Sequence, residues 1–410
     1  MKTREFPAAV VTKKAKAALD GGHVWVYDTE VISYGENGLP PANGSLIDVI
    51  SENGRYLGTG MISLHSKIRI RLLSRNANDR FDEAFFCRRI GYAWDYRKTV
   101  MGRDTDSCRC IFGEADGFPG LTVDKFEDIL VTQTLSIGME QLKPVIFPLL
   151  YEIIGHDCPI RGIYERNDVG IRELEGLPEG KNWYALPGVP LPDTSVVRIR
   201  ENGILYDVDF VNGQKTGFFL DQKYNRRAIA EIAQGRRVLD CFTHTGSFAL
   251  NAAAGGAAHV TAVDVSADAI ASARRDALLN RLDDRMDFVC ENVFDLLPRL
   301  EKEGGRPYDF IILDPPAFTK SRKTVNGAAR GYKEINYRAM KLLPRGGYLA
   351  TCSCSHFMDN ERFIQMLRSA ASDAAVELKL VEVRRQAPDH PVLLNIPDTD
   401  YLKFYIFQVI

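Results

Sequence analysis

From about residue 195 onward the chain alternates short apolar runs with helical segments, and this pattern constrains the fold most. Apolar runs at 238–240, 260–264, 288–291, 310–314 and 348–352 predict strands. The segment 266–280 predicts a helix, because Ser266 is a good N-cap and alanine is frequent in the segment. Regular alternation of this kind predicts an α/β fold with a doubly wound, Rossmann-like sheet. Residues 375–384 and 401–410 predict a final antiparallel pair of strands.

Acidic and small residues follow the first two of these strands. Asp240 ends the first strand, Gly246 follows six residues later, and Asp264 ends the second strand. Ligands of open α/β sheets bind where strands end, and an acid at the second strand accepts two ribose hydroxyls. The G-x-G-x-x-G run of NAD enzymes is missing, which favours S-adenosylmethionine, a cofactor without a pyrophosphate. Asn292, after the third strand, is expected to bind the adenine edge.

Two thiols and a carboxylate follow the next two strands. Asp314 precedes two prolines at the end of one strand, and Cys352 and Cys354 lie at the end of the other. A thiolate that adds to C6 of a pyrimidine activates C5 for methylation. The sequence therefore indicates methyl transfer to a pyrimidine ring, with Asp314 holding the N3/N4 edge of the base. It does not identify the base that removes the C5 proton.

The composition excludes several classes of protein. No apolar run approaches the 18 residues of a membrane span, and the N-terminus lacks the apolar core of a signal peptide. Eight cysteines without framework spacing are typical of a reducing cytoplasm, and the two C-x-C pairs are too close for an ordinary zinc site. The sequence therefore predicts a cytoplasmic protein without a metal centre.

Charge is distributed unevenly, although the net charge is only −2. Three lysines cluster near the start, and basic residues alternate along 67–75. A local basic face is enough for binding RNA, although a solvated strand face is the alternative interpretation.

The first half of the chain divides into two segments. Residues 1–75 predict a small β-rich structure, with strands at 44–50, 56–62 and 68–72. Residues 76–190 predict helices at 81–100 and 139–154, a hairpin at 121–133 and a strand at 162–165. The proline-containing stretch 186–192 is typical of a linker.

These motifs together resemble the bacterial 23S rRNA 5-methylcytosine methyltransferases that carry an N-terminal PUA domain. The matching stretches cover nearly the whole chain and are residues 22–27, 113–120, 215–222, 241–249, 314–318, 330–336 and 353–355. The resemblance implies a PUA RNA-binding domain over 1–75, a small central α/β domain over 76–190 and a Rossmann-like class I methyltransferase domain over 191–410. It implies large-subunit rRNA as the partner, and the lack of a long apolar run predicts that no membrane is involved.

The resemblance also assigns residues. It implies a catalytic pair, Cys354 and Asp314. The residues implied to bind S-adenosylmethionine are Asp240, Phe242, Thr243, Gly246, Asp264, Asn292, Gln222 and Arg226, and those implied to bind the substrate are Lys215, Phe318, Tyr332 and Lys333. The segment 215–226 is expected to fold over the cofactor beside the substrate. Phe318 and Tyr332 are either stacking residues or part of the aromatic core.

The chain departs from the family at one position and from more distant RNA cytosine methyltransferases at another, and both positions bear on the thiol chemistry. The family has an aromatic residue in place of Cys352, so two adjacent thiols are candidates, and the closer likeness favours Cys354. More distant RNA cytosine methyltransferases carry a second cysteine where this chain has Ala317. If that cysteine helps to release the product there, another group must do so here.

Two other functions stay open from the sequence. One is methylation of guanine N2 or N7 in rRNA, which needs no thiol, and the other is a non-catalytic rRNA-binding assembly factor. The roles of Asp240 and Asp264 have an alternative too, because both could be turn or helix-cap carboxylates that bind no cofactor. The target nucleotide and the formation of a homodimer are also left open.

Overall fold

The computed structural model of the protein describes residues 5–35, 38–318 and 325–410. The chain forms two compact units. The first comprises Met1–Ile199, Val208–Leu220 and Pro388–Thr399, and the second comprises Arg200–Asp207, Asp221–Ala387 and Asp400–Ile410. No helix in the described ranges is both long enough and apolar enough to cross a membrane.

The N-terminal part of the first unit is a six-stranded sheet with one helix. The strands are β1 (Ala8–Val11), β2 (Trp25–Tyr27), β3 (Val31–Tyr34), β4 (Leu46–Ser51), β5 (Tyr56–Ile62) and β6 (Ile68–Ser74), in the order β2-β6-β5-β4-β1-β3, and α1 spans Lys13–Asp20. Alternating apolar residues such as Ile47, Val49 and Ile70 are fully buried in its core. The three strands predicted for this segment are confirmed.

The basic residues of this segment are partly neutralised by ion pairs. Arg71 forms an ion pair of 2.8 Å with Glu175, and both side chains are nearly buried. Lys14 and Lys16 lie within 3.1 and 2.7 Å of acidic partners. The alternating run along β6 is therefore not a uniformly free basic face.

The rest of the first unit is built on a five-stranded sheet. Its elements are α2 (Glu83–Met101), β7 (Ser107–Phe112), β8 (Leu121–Phe126), β9 (Ile129–Thr134), α3 (Ile137–Asp157), β10 (Gly162–Arg166) and β11 (Lys181–Tyr184), with the strand order β11-β10-β9-β8-β7. The predicted hairpin and helices are confirmed, and α3 is longer than predicted by a few residues at each end. No regular element covers the predicted linker, residues 186–192.

A buried ion pair holds the turn between β7 and β8. Arg97 of α2 is fully buried and donates two hydrogen bonds, of 2.6 and 2.7 Å, to the Asp116 carboxylate. The same carboxylate accepts from the backbone N–H of Phe112 at 2.6 Å. Asp116 belongs to the matching stretch 113–120, so this stretch has a structural role in the first unit.

The second unit is built on a seven-stranded sheet in the order β16-β15-β14-β17-β18-β20-β19. The strands are β14 (Arg237–Cys241), β15 (His259–Asp264), β16 (Met286–Cys290), β17 (Phe310–Leu313), β18 (Tyr348–Ser353), β19 (Leu378–Arg384) and β20 (Lys403–Val409). Strands β14 to β18 are parallel, whereas β20 is antiparallel to both β18 and β19. The predicted Rossmann-like sheet and its final antiparallel pair are confirmed.

Helices connect the strands of this sheet. They are α4 (Lys223–Ile232), α5 (Ser247–Ala254), α6 (Ala267–Leu279), α7 (Val293–Glu303), α8 (Val325–Leu342) and α9 (Asn360–Ala374). The short hairpin β12 (Val196–Glu201) and β13 (Ile204–Asp209) precedes α4. Because the central strands are buried on both faces, they are almost continuously apolar, as in 310–313. Their parallel direction brings the ends of β14, β15, β17 and β18 to one edge, which we call the carboxyl edge.

Candidate active site

The turn from β14 into α5 is organised by Asp240. Its side chain is fully buried, and Oδ2 accepts hydrogen bonds from Thr243 Oγ1 at 2.5 Å and from the Ala249 backbone N–H at 2.9 Å. Burial, with smaller contributions from the charges of Asp314 and Asp264, raises the pKa of Asp240 to about 7, although the hydrogen bonds from Thr243 and Ala249 oppose the shift. Asp240 therefore shapes the turn, which agrees with the turn-carboxylate interpretation of this residue.

Gly246 begins α5 in a conformation that suits glycine. Its φ is +79°, and a Cβ there would lie 2.7 Å from the Ala273 Cβ of α6. Phe242 in the same turn also has a positive φ of +63°, which is uncommon for a bulky residue. The turn thus depends on backbone conformations that few side chains allow.

Asp264 and Asn292 lie at the ends of β15 and β16. The Asp264 carboxylate accepts from the backbone N–H groups of His244 and Ser266, both at 2.9 Å. These bonds fix the orientation of a partly exposed carboxylate, which is the arrangement that a ribose diol requires. Asn292 is exposed and is the N-cap of α7, accepting from the Phe294 backbone N–H at 3.0 Å.

Asp314 follows β17 and is held by two neighbouring side chains. Gln222 Nε2 donates to Asp314 Oδ1 at 3.1 Å, and the Cys352 thiol forms a further side-chain hydrogen bond. Burial and the adjacent Asp221 raise the pKa of Asp314 to about 7, while Arg226 opposes the shift. The predicted residues Gln222 and Asp314 are thus brought together at the carboxyl edge.

The two candidate thiols have different surroundings. Cys352 lies within β18 and is fully buried, and burial raises its pKa well above the usual value, with a further contribution from Asp314. Cys354 is the first residue after β18 and is partly exposed. Accessibility therefore favours Cys354 as the thiol that meets a substrate.

Lys403 is a neighbour of Cys354 that the sequence did not single out. It begins β20 and pairs in register with Ser353 of β18. Its Nζ donates hydrogen bonds of 2.7 Å to the carbonyl oxygens of Ser355 and Tyr401. The sequence did contain a signal for Lys403. A strand that runs antiparallel to β18 begins where β18 ends, so its first residue lies at the carboxyl edge.

The aromatic residues near this edge form a cluster. Phe318 lies with its ring centroid 4.6 Å from that of Tyr332 and 6.4 Å from that of Phe242. Phe318 is partly buried, whereas Tyr332 is fully buried and its hydroxyl accepts from Ser353 Oγ at 3.1 Å. The burial of Tyr332 fits the aromatic-core interpretation and not base stacking.

Arg226 and Lys215 lie in surroundings that differ from those expected. Arg226 is nearly fully buried, forms an ion pair of 2.8 Å with the buried Glu201 and reaches Ser247 Oγ at 3.2 Å. Its observed contacts are therefore structural. Lys215 is exposed, has a φ of +52° and belongs to the first unit, with its Nζ 4.8 Å from the Phe219 ring centroid.

A cavity of about 920 Å³, the basic cavity, lies between α8, α9 and the loop that follows Cys354, and its lining includes one carboxylate, that of Asp359. Arg330 and Lys333 of α8 line it together with His356 and Arg362. Arg330 is exposed, whereas Lys333 forms an ion pair of 2.6 Å with Asp373. Within the described ranges, no group of three or more histidine, cysteine or acidic side chains could hold a metal ion.

Comparison of the chain with known proteins identifies its family. Residues 181–407 match the model of an S-adenosylmethionine-dependent methyltransferase family, and residues 9–75 match a PUA-like domain. The ribosomal RNA large subunit methyltransferase I of Shewanella denitrificans is 40% identical over 96% of both chains. The protein of the same name from Klebsiella pneumoniae is 38% identical over 98% of both chains.

Solved structures confirm the fold. A chain described as a SAM-dependent methyltransferase from Streptococcus mutans has a TM-score of 0.80 at 22% identity, covering 98% of this chain and 100% of that one. A methyltransferase-like chain complexed with SAH has a TM-score of 0.82 at 22% identity and the same coverage.

The fold and the family match define an S-adenosylmethionine-dependent methyltransferase that carries a PUA-like domain. More narrowly, the chain belongs to the ribosomal RNA large subunit methyltransferase I family. The predictions of fold class and cofactor are confirmed. The individual site residues and the domain boundaries stay predictions.

Proposed function

We propose that this protein methylates C5 of a cytosine in large-subunit ribosomal RNA through a covalent bond between the Cys354 sulfur and C6. The names of the relatives support large-subunit rRNA as the substrate. The finer part of the proposal depends on one observation. A partly exposed thiol directly follows β18, the strand that pairs with β17, and Asp314 directly follows β17.

The thiol is needed because C5 of cytosine is too weak a nucleophile to attack a methyl sulfonium unaided. Addition of the Cys354 thiolate to C6 turns C5 into an enamine-like carbon that accepts the methyl group. Asp314 holds the N3/N4 edge, and with a pKa of about 7 it keeps a proton available for N3 near neutral pH. Loss of the C5 proton to a base and expulsion of the thiolate then restore the ring.

The carboxyl edge suits the cofactor. S-adenosylmethionine, when bound, supplies an electrophilic methyl group on a positively charged sulfonium. Asp264 offers an oriented carboxylate to the ribose hydroxyls, and the turn built by Asp240, Thr243 and Gly246 leads into α5 beside it. Burial is the main cause of the raised pKa of Asp240, and repulsion from Asp314 and Asp264 adds to it. A cationic ligand relieves this repulsion and is therefore favoured.

RNA binding is supported by the basic cavity, which is lined in part by the loop that follows Cys354. Its cationic side chains suit the phosphates that flank a target nucleotide, whose base must leave its stack to reach Cys354. Arg330 is the better candidate for a phosphate contact, because the ion pair of Lys333 with Asp373 competes with RNA.

The proposal is tested by replacing each thiol in turn. We expect Cys354→Ala to abolish 5-methylcytosine formation in an rRNA transcript, measured by mass spectrometry of nucleosides. Binding of S-adenosylmethionine, measured by titration calorimetry, is expected to be unchanged. Cys352→Ala is the matched control, because it removes a buried thiol of the same strand end. Retained turnover in Cys354→Ala with loss in Cys352→Ala would transfer the role to Cys352.

The covalent bond is tested with RNA that contains 5-fluorocytidine. Fluorine at C5 cannot leave as a proton does, so the methylated adduct persists and is detected as an RNA–protein band resistant to denaturation. This band is expected in the native protein and absent in Cys354→Ala. Methylguanosine as the product would instead establish guanine methylation, and failure to bind S-adenosylmethionine would favour the assembly factor.

A further inference from the structure

Lys403 is a buried cation at the carboxyl edge. Its side chain is only 7% exposed, although lysine is rarely buried unless it is paired. Because β20 runs antiparallel to β18, the first residue of β20 lies beside Ser353, the last residue of β18. Lys403 therefore reaches the loop that carries Cys354.

Lys403 contacts the residues on both sides of Cys354 in the sequence. Lys403 pairs with Ser353 through the backbone register, and its Nζ donates to the Ser355 carbonyl, so both neighbours of Cys354 contact Lys403. The two carbonyl acceptors are neutral, and Asp400 and Asp359 act on the ammonium only through longer-range electrostatics. The ammonium thus has no close carboxylate to balance its charge among these partners.

Electrostatics agree with this geometry. Burial lowers the pKa of Lys403 to about 8, and Cys354 is first among the groups that raise it again, ahead of Asp400 and Asp359. A thiolate at Cys354 therefore stabilises the charged lysine, and by reciprocity the charged lysine stabilises the thiolate.

Two neutral titratable groups also interact with Cys354. They are Tyr332 of α8 and Cys352 of β18, and burial raises the pKa of both, which keeps both neutral. Two cations of α8 have other surroundings. Lys333 is paired with Asp373, and Arg330 is exposed in the basic cavity.

We propose that the Lys403 ammonium stabilises the thiolate of Cys354 and is the positioning residue that makes this cysteine nucleophilic near neutral pH. The nucleophilic form of a cysteine is its thiolate, and an adjacent cation increases the thiolate fraction. This inference rests on the proposed function for its catalytic meaning, although the pairing of the two residues is testable without RNA.

The direct test is the pH dependence of alkylation of Cys354 by iodoacetamide, followed by mass spectrometry of the peptide that contains it. Lys403→Gln keeps a hydrogen-bond donor and removes the charge. We expect its alkylation midpoint to rise by about one pH unit, which corresponds to a roughly tenfold slower reaction below both midpoints. Lys403→Arg is expected to restore most of the native profile.

Controls separate this effect from a loss of structure. Lys341→Gln removes an exposed lysine at the end of α8 and is expected to leave the midpoint unchanged. Thermal melting and binding of S-adenosylmethionine report whether Lys403→Gln is folded. A folded Lys403→Gln variant with the native alkylation midpoint would overturn the inference. So would a turnover that falls by the same factor at every pH, with no shift in its pH profile.

The two proposals fail in different ways. If Cys354→Ala still methylates cytosine, the proposed function fails, while the alkylation midpoint still decides whether Lys403 acts on Cys354. If the midpoint does not move but Cys354→Ala is inactive, the nucleophile stands and Lys403 has only a structural role.

Discussion

At the scale of single residues, the same amino acid type has different roles according to its surroundings. Asp264 is partly exposed and is the residue proposed to bind the cofactor ribose, whereas Asp240 is buried and holds a turn. Asp116 is buried too, but a bidentate arginine balances its charge. The neighbours of an aspartate, and not its place in a motif, therefore decide whether it binds, shapes or stabilises.

The buried pair of Arg97 and Asp116 gives a prediction for stability. Asp116→Asn removes the carboxylate that pairs with a fully buried guanidinium, so we expect the free energy of unfolding to fall by about 3–5 kcal/mol. Urea denaturation of the variant and the native protein measures this difference.

The matched control is Asp128→Asn, which disrupts a bidentate pair with Arg161 at the surface. Solvent screens that pair, so a loss below about 1 kcal/mol is expected. Equal losses of unfolding free energy in the two variants would show that burial does not increase the contribution of the Arg97–Asp116 pair to stability.

At the scale of elements, the β14–α5 turn carries the backbone strain of the proposed cofactor site. Gly246→Ala adds a methyl group at a φ of +79° and 2.7 Å from Ala273 Cβ. We expect a loss of about 2–4 kcal/mol in the free energy of unfolding, from the left-handed conformation and the overpacking together. Calorimetric titration is expected to show weaker binding of S-adenosylmethionine, because the turn must shift.

Gly235→Ala isolates the conformational part of this effect. Gly235 has a similar φ of +70°, but a Cβ there meets no atom within 4 Å. Its expected cost is about 1 kcal/mol, with native cofactor affinity. A Gly246→Ala variant that behaves like Gly235→Ala would mean that the contact with α6 is unimportant.

Elements were easier to predict from the sequence than side-chain partners. The strands of the Rossmann-like sheet follow from apolar runs, because their burial on both faces leaves a clear pattern. Lys403 was missed since its importance depends on the antiparallel direction of β20, which brings it beside Cys354 from 49 positions away. Likewise, no local pattern shows that Arg226 pairs with Glu201 or that Tyr332 is buried.

At the scale of the whole molecule, the carboxyl edge collects negative charge from separate strands. Asp240 and Asp314 both have a pKa raised to about 7, chiefly by burial and then by neighbouring carboxylates. Both groups are therefore largely protonated at pH 5.5 and increasingly ionised above pH 7. A cationic ligand favours the ionised forms, so its binding releases protons and strengthens as the pH rises.

This charge predicts a difference between the cofactor and its product. From pH 5.5 to 7.5 we expect the affinity for S-adenosylmethionine to rise about three- to tenfold, because its sulfonium interacts with ionised carboxylates. S-adenosylhomocysteine lacks the sulfonium charge and is expected to change less. Calorimetric titration of both ligands across this range checks the prediction, and identical pH profiles would contradict it.

The position of β20 in the sheet has a consequence for synthesis of the protein. β20 lies between β18 and β19 in the sheet but is synthesised after both. The sheet therefore lacks the strand between β18 and β19 until residues 403–409 emerge from the ribosome. Cys354 is translated well before Lys403 and meets it only when that gap closes. If Lys403 stabilises the Cys354 thiolate as proposed, the thiol gains this neighbour only in the last step of folding.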